Sequence, residues 1–481
     1  MRRQVLTPMS PEELRADWKS FLKLLCAIAI PIALQNLLTT TASMVDTIML
    51  ANYSENAKGA VGICSKYSNL LYSGYWGFVG GGMLFMSQYW GARDEDGLCR
   101  AFGLTLSFMM AVGLVFASLA LFAPMTVMKV LTDQEVFWED GADYLRIISG
   151  AYLLQIVSMA ISCLLRSTER VKIPLVASIA SVLTNLGVNW VLIFGHLGFP
   201  KMGVRGAAIG TLAAGAVNLL VVILLSSAVH YPYLKRIRAH FRWNRRFIRE
   251  YLSKSSMIIA NEVLMGVGNF GIAFILNRQG ADAVNALAVF NVFEGFVVSF
   301  FTGFTNAASV LVGKEVGAGH HEVAYRRAGR LGWMTPAVVL LACSLVLIFH
   351  EPLLSLFALT PGSLEFTYAR GTLFVFALAA TVRMTNWIHN DTYRSAGDPV
   401  FGTLLEICFM FALVLPLTAL GAFVWKLPFL AVFALCYCDE PIRVVLMIHH
   451  RITGKWIRPV TEEGLSTLPA FRQKLGLKEK R

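Results

Sequence analysis

The segment Phe102–Phe122, with the sequence FGLTLSFMMAVGLVFASLALF, contains no charged residue over 21 positions. A helix needs roughly 20 apolar residues to cross the hydrocarbon core of a bilayer, so this segment predicts a membrane-spanning helix. The same composition extends over all 481 residues, of which 56% are apolar or aromatic and 15% are charged. Soluble globular proteins carry about 25% charged residues. The composition therefore excludes a disordered chain, a charge-rich nucleic-acid-binding domain and almost any cytosolic enzyme.

Long apolar runs recur along the chain and predict an all-α integral membrane protein. A transmembrane β-barrel would show weak alternation over segments of about ten residues, whereas runs such as Val217–Val229 are continuous. Twelve helices with short connections are predicted. Their expected ranges are 22–50, 59–89, 100–123, 142–166, 173–195, 205–229, 251–277, 284–314, 327–349, 366–395, 400–424 and 428–449.

The net charge of +12 arises from 42 lysines and arginines against 30 aspartates and glutamates. With both termini placed in the cytoplasm, 31 of the 42 basic residues fall on the cytoplasmic side, six on the other side and five inside predicted helices. Cytoplasmic loops of membrane proteins carry such an excess of Lys and Arg. We therefore expect a multi-pass protein of the cell membrane, meaning the plasma or inner membrane in a bacterium, with both termini cytoplasmic.

The two halves of the chain resemble each other in short motifs. Two motifs recur at an offset of 226 residues, and an Arg-Ser pair recurs at an offset of 228. Six helices per copy is an even number, so both copies cross the membrane in the same direction and form parallel repeats. The matching segments are Gly91–Arg93 with Gly317–Gly319, Arg100–Gly103 with Arg326–Gly329, and Arg166–Ser167 with Arg394–Ser395.

The repeats predict two six-helix lobes around a central cleft. Rocking of such repeats about a site near the membrane midplane gives alternating access in transporters. The expected order is a cytoplasmic tail over 1–20, an N-lobe over 21–229, a basic cytoplasmic linker over 230–250, a C-lobe over 251–450 and a cytoplasmic tail over 451–481.

Ionisable side chains inside spans are costly and usually line a cavity, which makes Asp46 and Glu262 the first candidates for a cation-coupling site. Asp46 follows Pro31 in predicted helix 1. An interior proline allows a helix to bend, so this carboxylate is suited to act as a proton or Na⁺ switch. Glu262, near the middle of predicted helix 7, is suited to exchange a proton or bind a cation. The alternatives are a hydrated Asp46 at the membrane edge and a Glu262 paired with a neighbouring cation for packing.

Polar partners for these carboxylates are predicted on helices 5 and 10. Asn185 and Asn189 are four residues apart and share one helix face. Their amides either offer oxygens to a lumen or form a hydrogen bond between helices. Asp391 lies eight residues after Arg383, and this polar cluster predicts either a gate or ion site, or a structural Arg–Asp pair.

In predicted helix 12, Asp439 and Glu440 precede Arg443 within one helical turn. Side chains three and four residues apart on a helix are neighbours. We therefore expect these three residues to pair with one another along the helix.

The predicted cleft also requires apolar and aromatic surface. Such surface with a few acidic groups suits amphipathic organic cations, and the alternative for each aromatic residue is packing or lipid contact. The substrate-cleft candidates are Gln35, Tyr72, Trp76, Met265, Phe293 and Glu294.

The sequence contains no Walker motif, kinase signature or nucleophile elbow. We therefore expect transport driven by an ion gradient, with no enzymatic activity and no cofactor besides H⁺ or Na⁺ as the coupling ion. A G-x-G-x-x-G match at Gly266–Gly271 lies inside an apolar span without a preceding strand, so it predicts close helix packing rather than dinucleotide binding. No metal site is predicted apart from Na⁺ at Asp46 or Glu262.

Several short motifs together resemble the MATE (multidrug and toxic compound extrusion) family over roughly residues 20–450. The resemblance implies twelve helices in two lobes and export of drugs or metabolites in exchange for Na⁺ or H⁺. The expected partners are a small organic substrate, the coupling cation and the bilayer, without nucleic acid, and we expect a monomer. The motifs are Pro31–Gln35, Val45–Met49, Ser87–Arg93, Asn185–Gly195 and Gly203–Thr211, followed by Glu262.

The resemblance also implies roles for individual residues. Asp46 matches the family's cation-coupling aspartate of helix 1, and Glu262 matches the glutamate of helix 7. Asn185 matches a polar position of helix 5 beside that aspartate.

Two positions depart from the family pattern. Asn189 stands where some members have a second aspartate, and Met384 stands where some carry an aspartate in helix 10. Asp391, two turns after Met384, is a candidate replacement, so the coupling ion stays open between H⁺ and Na⁺. The alternative function is that of a lipid-linked precursor flippase of the same superfamily, whose members often carry extra helices and a strongly cationic cavity.

Overall fold

The computed structural model describes residues 10–355, 357, 359 and 361–476, and within these ranges the chain is helical without a β-strand. The all-α fold class is therefore confirmed. Residues 1–9 and 477–481 of the predicted tails lie outside the described residues. The main helices are α1 (Pro11–Tyr53), α2 (Glu55–Gly91), α3 (Glu95–Phe122), α4 (Trp138–Ser167), α5 (Lys172–Phe194), α6 (Val204–Ala228), α7 (Arg245–Leu276), α8 (Ala281–Gly317), α9 (His321–Ile348), α10 (Leu364–Ser395), α11 (Pro399–Val424), α12 (Phe429–Leu435), α13 (Glu440–Thr453) and α14 (Glu462–Lys474).

Short helices stand between some of these elements, at Pro124–Leu131, Pro232–Lys235, Ile237–His240 and His350–Ser355. Among the described residues, ten helices are long and apolar enough to cross a membrane by length and composition, namely α1 and α3 to α11. Helix α2 has 37 residues, but glycine, serine and tyrosine reduce its apolar content. Eleven of the twelve predicted spans therefore correspond to α1–α11.

The prediction of a continuous helix 12 over 428–449 is wrong. Helix α12 ends at Leu435, and a turn over residues 436–439 separates it from α13, which begins at Glu440. Pro441 is the second residue of α13. A proline lacks the backbone N–H that a continuous helix would need at this position, which explains why the helix restarts here.

Residue contacts divide the chain into two compact units. The N-unit comprises residues 30–86 and 94–255, and the C-unit comprises the described residues of 1–29, 87–93 and 256–481. Helices α1, α2 and α7 are therefore divided between the two units, and the other helices each lie in one unit. The division within α1 falls beside Pro31, and the basic segment 230–250 belongs to the N-unit.

In the N-unit, α4 packs against α3 and α6, and α5 packs along α6. A Cβ atom on Gly206 would lie 2.8 Å from the backbone carbon of Leu192. The glycine therefore lets the backbone of α6 approach α5, as small residues commonly do between membrane helices. The hydroxyl of Ser158 donates a hydrogen bond to the Asn218 amide and joins α4 to α6.

In the C-unit, α10 packs against α8, α9 and α13. The ring of Phe290 lies edge-on to Phe376 and Phe433, with centroid distances of 5.2 and 4.9 Å. Helix α11 contains two π-helical stretches, Met410–Val414 and Leu420–Val424, on either side of Pro416. Such wider turns arise where the regular hydrogen-bond ladder is interrupted, and they are frequent at functional sites.

Part of the predicted C-terminal tail is packed into the C-unit. Trp456 is fully buried. The Val460 N–H donates to Gln88 Oε1 at 2.8 Å, and Gln88 Nε2 donates to the Ser395 carbonyl at 2.8 Å. The Thr461 hydroxyl donates to the carbonyl of Gly317 at 2.7 Å. The segment 456–461 is therefore bonded directly to the ends of α2 and α8, and Gln88 connects it to the end of α10.

Candidate functional site

The first candidate site lies in the N-unit and centres on Asp46. Helix α1 carries this carboxylate, and α5 presents Asn185 and Asn189 on the face toward it. Asn189 Nδ2 donates to Asp46 Oδ1 at 2.8 Å. The Asn185 amide is best oriented with its nitrogen toward Asp46, because both atoms of the amide then face suitable hydrogen-bond partners. In this orientation the nitrogen donates to Asp46 Oδ1 and Oδ2 at 2.7 and 3.1 Å. The three residues thus form one cluster in which a half-buried carboxylate accepts hydrogen bonds from two buried amides.

Gln35 and Arg166 form a second polar contact in the N-unit. Arg166 Nη2 donates to Gln35 Oε1 at 2.7 Å, and Gln35 Nε2 donates to Ser178 Oγ at 2.9 Å. Arg166 is buried. Gln35, which the sequence placed in a substrate cleft, is therefore held by α4 and α5 inside this unit.

The aromatic substrate candidates of the N-unit lie near each other on α2. Tyr72 donates to Gln155 Oε1 at 3.1 Å. Trp76 is exposed and stacks on Tyr75 at a centroid distance of 6.3 Å. These contacts of Tyr72 and Trp76 are with other residues of the chain and do not indicate which ligand the two side chains would bind.

The second candidate site is a cavity of about 710 Å³ inside the C-unit, here called the C-unit cavity. Helices α7, α8, α10, α11, α12 and α13 contribute its lining. Its polar residues are six acids, three arginines and several asparagines, and its apolar residues include Met265, Phe290, Trp387, Phe433 and Tyr437. The charged residues are Glu262, Glu294, Asp391, Glu406, Asp439, Glu440, Arg383, Arg394 and Arg443.

Two of the three arginines make close charge-assisted hydrogen bonds. Arg383 Nη1 donates to Glu294 Oε1 at 2.7 Å. Arg443 Nη1 donates to Asp439 Oδ2 at 3.0 Å and lies 3.7 Å from Glu440 Oε1. The predicted pairing of Asp439, Glu440 and Arg443 is therefore confirmed.

The predicted structural pair between Arg383 and Asp391 is wrong. Arg383 bonds to Glu294 on α8, and Asp391 lies 3.7 Å from Arg394, three residues further along α10. At a rise of about 1.5 Å per residue, positions eight apart on a helix are separated by about 12 Å along its axis, whereas positions three apart are separated by about 4.5 Å. Asp391 is therefore a near neighbour of Arg394 on α10 and not of Arg383.

Arg394 is surrounded by three carboxylates from three helices. Its Nη1 lies 3.5 Å from Glu262 Oε1 and 3.7 Å from Asp391 Oδ1, and its Nη2 lies 3.8 Å from Glu406 Oε2. Glu262 therefore has a neighbouring cation, Arg394, as one of its two predicted environments required. It also lines the C-unit cavity, where a residue that exchanges a cation would be expected.

Glu406 is the most enclosed of these three carboxylates. Asn261 Nδ2 and Asn390 Nδ2 donate to its Oε2 at 3.2 and 3.0 Å, and Arg443 Nη2 lies 3.4 Å from its Oε1. Neither asparagine was predicted as a site residue. Asn261 directly precedes Glu262 and Asn390 directly precedes Asp391, so polar residues beside intramembrane acids were the available signal.

The remaining predictions for the C-unit divide into two groups. Met265 and Glu294 line the C-unit cavity. Phe293 instead packs against the hydrophobic core of this unit, with its ring 5.7 Å from Phe357. Within the described residues no group of three or more His, Cys, Asp or Glu is arranged to hold a metal ion.

A chain with many helices that are long and apolar enough to cross a membrane, two compact units and clustered ionisable residues on those helices has the features of a polytopic transporter. The family model named MatE matches residues 31–191 and 257–420. The two matched segments begin 226 residues apart, which is the offset of the predicted repeat. The chain therefore belongs to the MatE family of membrane transporters.

Several relatives align over most of the chain. An uncharacterized transporter, YisQ, of Bacillus subtilis is 22% identical over 86% of this chain and 90% of its own length. A probable multidrug resistance protein, YoeA, of the same organism is 24% identical over 84% and 88% of the two chains. A probable multidrug resistance protein, NorM, of Thermotoga maritima is 22% identical over 90% and 93%.

Solved structures share the fold at low sequence identity. The MATE transporter VcmN of Vibrio cholerae has a TM-score of 0.80 at 16% identity, covering 91% of this chain and 97% of its own. A MOP superfamily transporter of Pyrococcus furiosus has a TM-score of 0.79 at 14% identity, covering 89% and 94%. These similarities establish the fold of a MATE transporter for this chain.

Proposed function

We propose that this MatE-family transporter is a secondary antiporter that exports amphipathic organic cations in exchange for H⁺ or Na⁺. The observation that carries the proposal is the C-unit cavity, in which six acids outnumber three arginines beside aromatic walls. An excess of carboxylates attracts cations, and aromatic faces bind them favourably. Two relatives are named probable multidrug resistance proteins, which supports export of such compounds. The proposed activity is transport without chemical conversion of the substrate.

The coupling site is proposed at two carboxylates, one in each unit. Asp46, with Asn185 and Asn189, offers one negative charge among neutral amides. Glu262 offers another at the wall of the C-unit cavity. A coupling cation and a cationic substrate that require the same carboxylate exclude each other, and this competition is a direct physical basis for exchange.

The proposed substrate contacts are the residues predicted from the sequence. Met265 and Glu294 have the strongest support because they line the C-unit cavity. The other proposed substrate contacts rest on the sequence alone; they are Gln35, Tyr72, Trp76 and Phe293. Asp391 is proposed as a further coupling residue, since it contacts the same arginine as Glu262.

The proposal includes a cell-membrane location with both termini cytoplasmic, and a monomer. The orientation rests on the 31 to 6 division of basic residues between the two predicted sides. The boundaries proposed for the lobes and the basic linker are those expected from the sequence. Reporter fusions to each terminus test the orientation, and reporters active only outside the cytoplasm would overturn it.

Efflux of ethidium from reconstituted vesicles tests the proposed function. Pure protein is exposed to a pH gradient and a Na⁺ gradient imposed separately, with wild type, Asp46→Asn and Glu262→Gln compared. We expect one gradient to drive wild-type efflux and at least one variant to lose it. Asp140→Asn, which removes an exposed carboxylate near the start of α4, is the matched control. Full coupled efflux by both variants would overturn the site, and movement of a lipid-linked precursor without ethidium efflux would favour the flippase.

A further inference from the structure

The geometry points to Arg394 as a cation, attached to the chain, that neutralises three carboxylates of the C-unit cavity. A cationic ligand must displace its guanidinium to bind these carboxylates. This inference rests on the proposed function, because it assigns a competitor to the same cavity. Arg394 would thereby lower the affinity of the cavity for a cationic ligand and control when the carboxylates can bind one.

The first support is the position of the guanidinium. Arg394 comes from α10, and its three acidic neighbours come from α7 (Glu262), α10 (Asp391) and α11 (Glu406), at N···O distances of 3.5, 3.7 and 3.8 Å. Three carboxylates that converge on one point would repel each other without a cation between them. The guanidinium supplies that cation from within the chain.

The second support is that Arg394 is held loosely. Charge-assisted N–H···O hydrogen bonds normally measure about 2.7–2.9 Å, and each of its three contacts is longer. Within the described part of the chain, the Nε and Nη2 atoms of Arg394 are buried and make no hydrogen bond, and the same holds for Nε and Nη2 of Arg443. Nη1 of Arg383 and Nη1 of Arg443, in the same cavity, nevertheless donate hydrogen bonds of 2.7 and 3.0 Å, whereas the shortest N···O distance from Arg394 to an acid is 3.5 Å. Arg394 is thus attracted by charge but not fixed by geometry.

The third support is that the three carboxylates differ in how well residues other than Arg394 pair with them. Glu406 keeps Asn261, Asn390 and Arg443 as partners if Arg394 moves away. The side chains of Glu262 and Asp391 are 35% and 31% exposed toward the cavity space. Displacement of Arg394 would therefore leave these two carboxylates for a ligand while the third stays paired.

The corresponding arginine of the other repeat has a different environment. Arg166 aligns with Arg394 in the repeat, and it donates to the neutral Gln35 at 2.7 Å. Within the residues that the structure describes, Arg166 forms no ion pair with a carboxylate. Occupation of an acidic cluster is therefore specific to the C-unit arginine and does not follow from the repeat alone.

Binding of ethidium to purified protein, measured by fluorescence polarisation, tests the inference. Arg394→Gln should bind ethidium with a roughly tenfold lower Kd than wild type, since close charge pairs carry couplings of at least this size. Arg394→Lys keeps a tethered charge and should bind as weakly as wild type. Arg278→Gln, which removes an exposed charge just after the end of α7, is the control for net charge and should not change the Kd.

A second measurement does not depend on the folding of the glutamine variant. Guanidinium chloride at low millimolar concentration should compete with ethidium more strongly in Arg394→Ala than in wild type or Arg394→Lys, because the free ion can occupy the position that the side-chain guanidinium leaves. An unchanged or higher Kd in Arg394→Gln, together with equal competition, would overturn the inference. If Glu262→Gln also leaves ethidium binding unchanged, the proposed site itself is wrong, and the inference fails with it.

Discussion

Asn189 Nδ2 donates a hydrogen bond of 2.8 Å to Asp46 Oδ1, which connects α5 to α1 through a half-buried acid. The opposite side of the same amide faces α6. A Cβ atom on Gly210 would overlap Asn189 Oδ1, so the absence of a side chain at residue 210 allows the amide to reach Asp46. The geometry of the proposed N-unit site therefore depends on the lack of a side chain at Gly210.

Gly210→Ala is expected to displace Asn189 and to reduce ion-coupled ethidium efflux about tenfold or more. Inserting a methyl group into a packed interface costs about 1–3 kcal/mol, so the thermal midpoint should also fall. Gly187→Ala on α5 is the matched control, because a Cβ there has no heavy atom within 4 Å. Equal efflux and equal midpoints in the two variants would contradict the proposed support of Asp46.

Arg443→Met is expected to lower the free energy of unfolding by about 3–5 kcal/mol, the cost of removing one partner from a buried ion pair. Arg443 is 3% exposed and contacts Asp439, Glu440 and Glu406, so its loss leaves buried acids unpaired. Thermal unfolding followed by tryptophan fluorescence measures the change. Lys58→Met is the control, since Lys58 pairs with Glu55 at an exposed position and surface pairs contribute little. A small, equal shift in both variants would show that the C-unit acids do not need this arginine.

Gln88→Leu is expected to release the segment 456–461 from the C-unit. The substitution removes the acceptor of the Val460 N–H and the donor to the Ser395 carbonyl, and each buried polar group left without a partner costs about 1–3 kcal/mol. Hydrogen–deuterium exchange at Val460 should become much faster. Gln473→Leu, at an exposed position of α14, serves as the comparison. Unchanged protection of Val460 in Gln88→Leu would exclude this role for Gln88.

Lowering the pH is expected to open the basic segment 230–250 locally. Burial of His240 lowers the pKa of its imidazole, opposed by its hydrogen bond to the Tyr233 carbonyl. Because the unfolded histidine titrates near 6.5, the segment's stability is constant above that pH and falls as the pH drops below it, since only the opened form takes up the proton. Amide exchange over 231–244, corrected for intrinsic pH dependence, measures the opening.

His240→Gln should abolish this pH dependence while keeping a donor for the Tyr233 carbonyl. His230→Gln, at an exposed position, should retain it. A pH response that survives in His240→Gln would assign the effect to another group.

Much of the fold could be predicted from single stretches of sequence. Eleven of the twelve expected spans correspond to α1–α11, because the transfer of apolar residues into a bilayer depends on local composition. The break between α12 and α13 was missed although Pro441 is visible in the sequence, since a proline also fits inside a membrane helix when neighbouring groups satisfy the freed backbone. The repeat was found from short motifs, and the double match of the family model has the same offset.

The sequence by itself determined the class of protein, eleven of the twelve predicted helical spans, the repeat and the ionisable residues within those spans. These properties depend on composition and order along the chain. Only the tertiary structure decided which charges meet: Arg383 pairs with Glu294, and Arg394 lies among Glu262, Asp391 and Glu406. Such partners depend on the rotation and packing of helices far apart in the chain, and each arginine has several acids within its possible reach. The choice among them is made by the fold, which places the carboxylates of α7, α10 and α11 around one guanidinium.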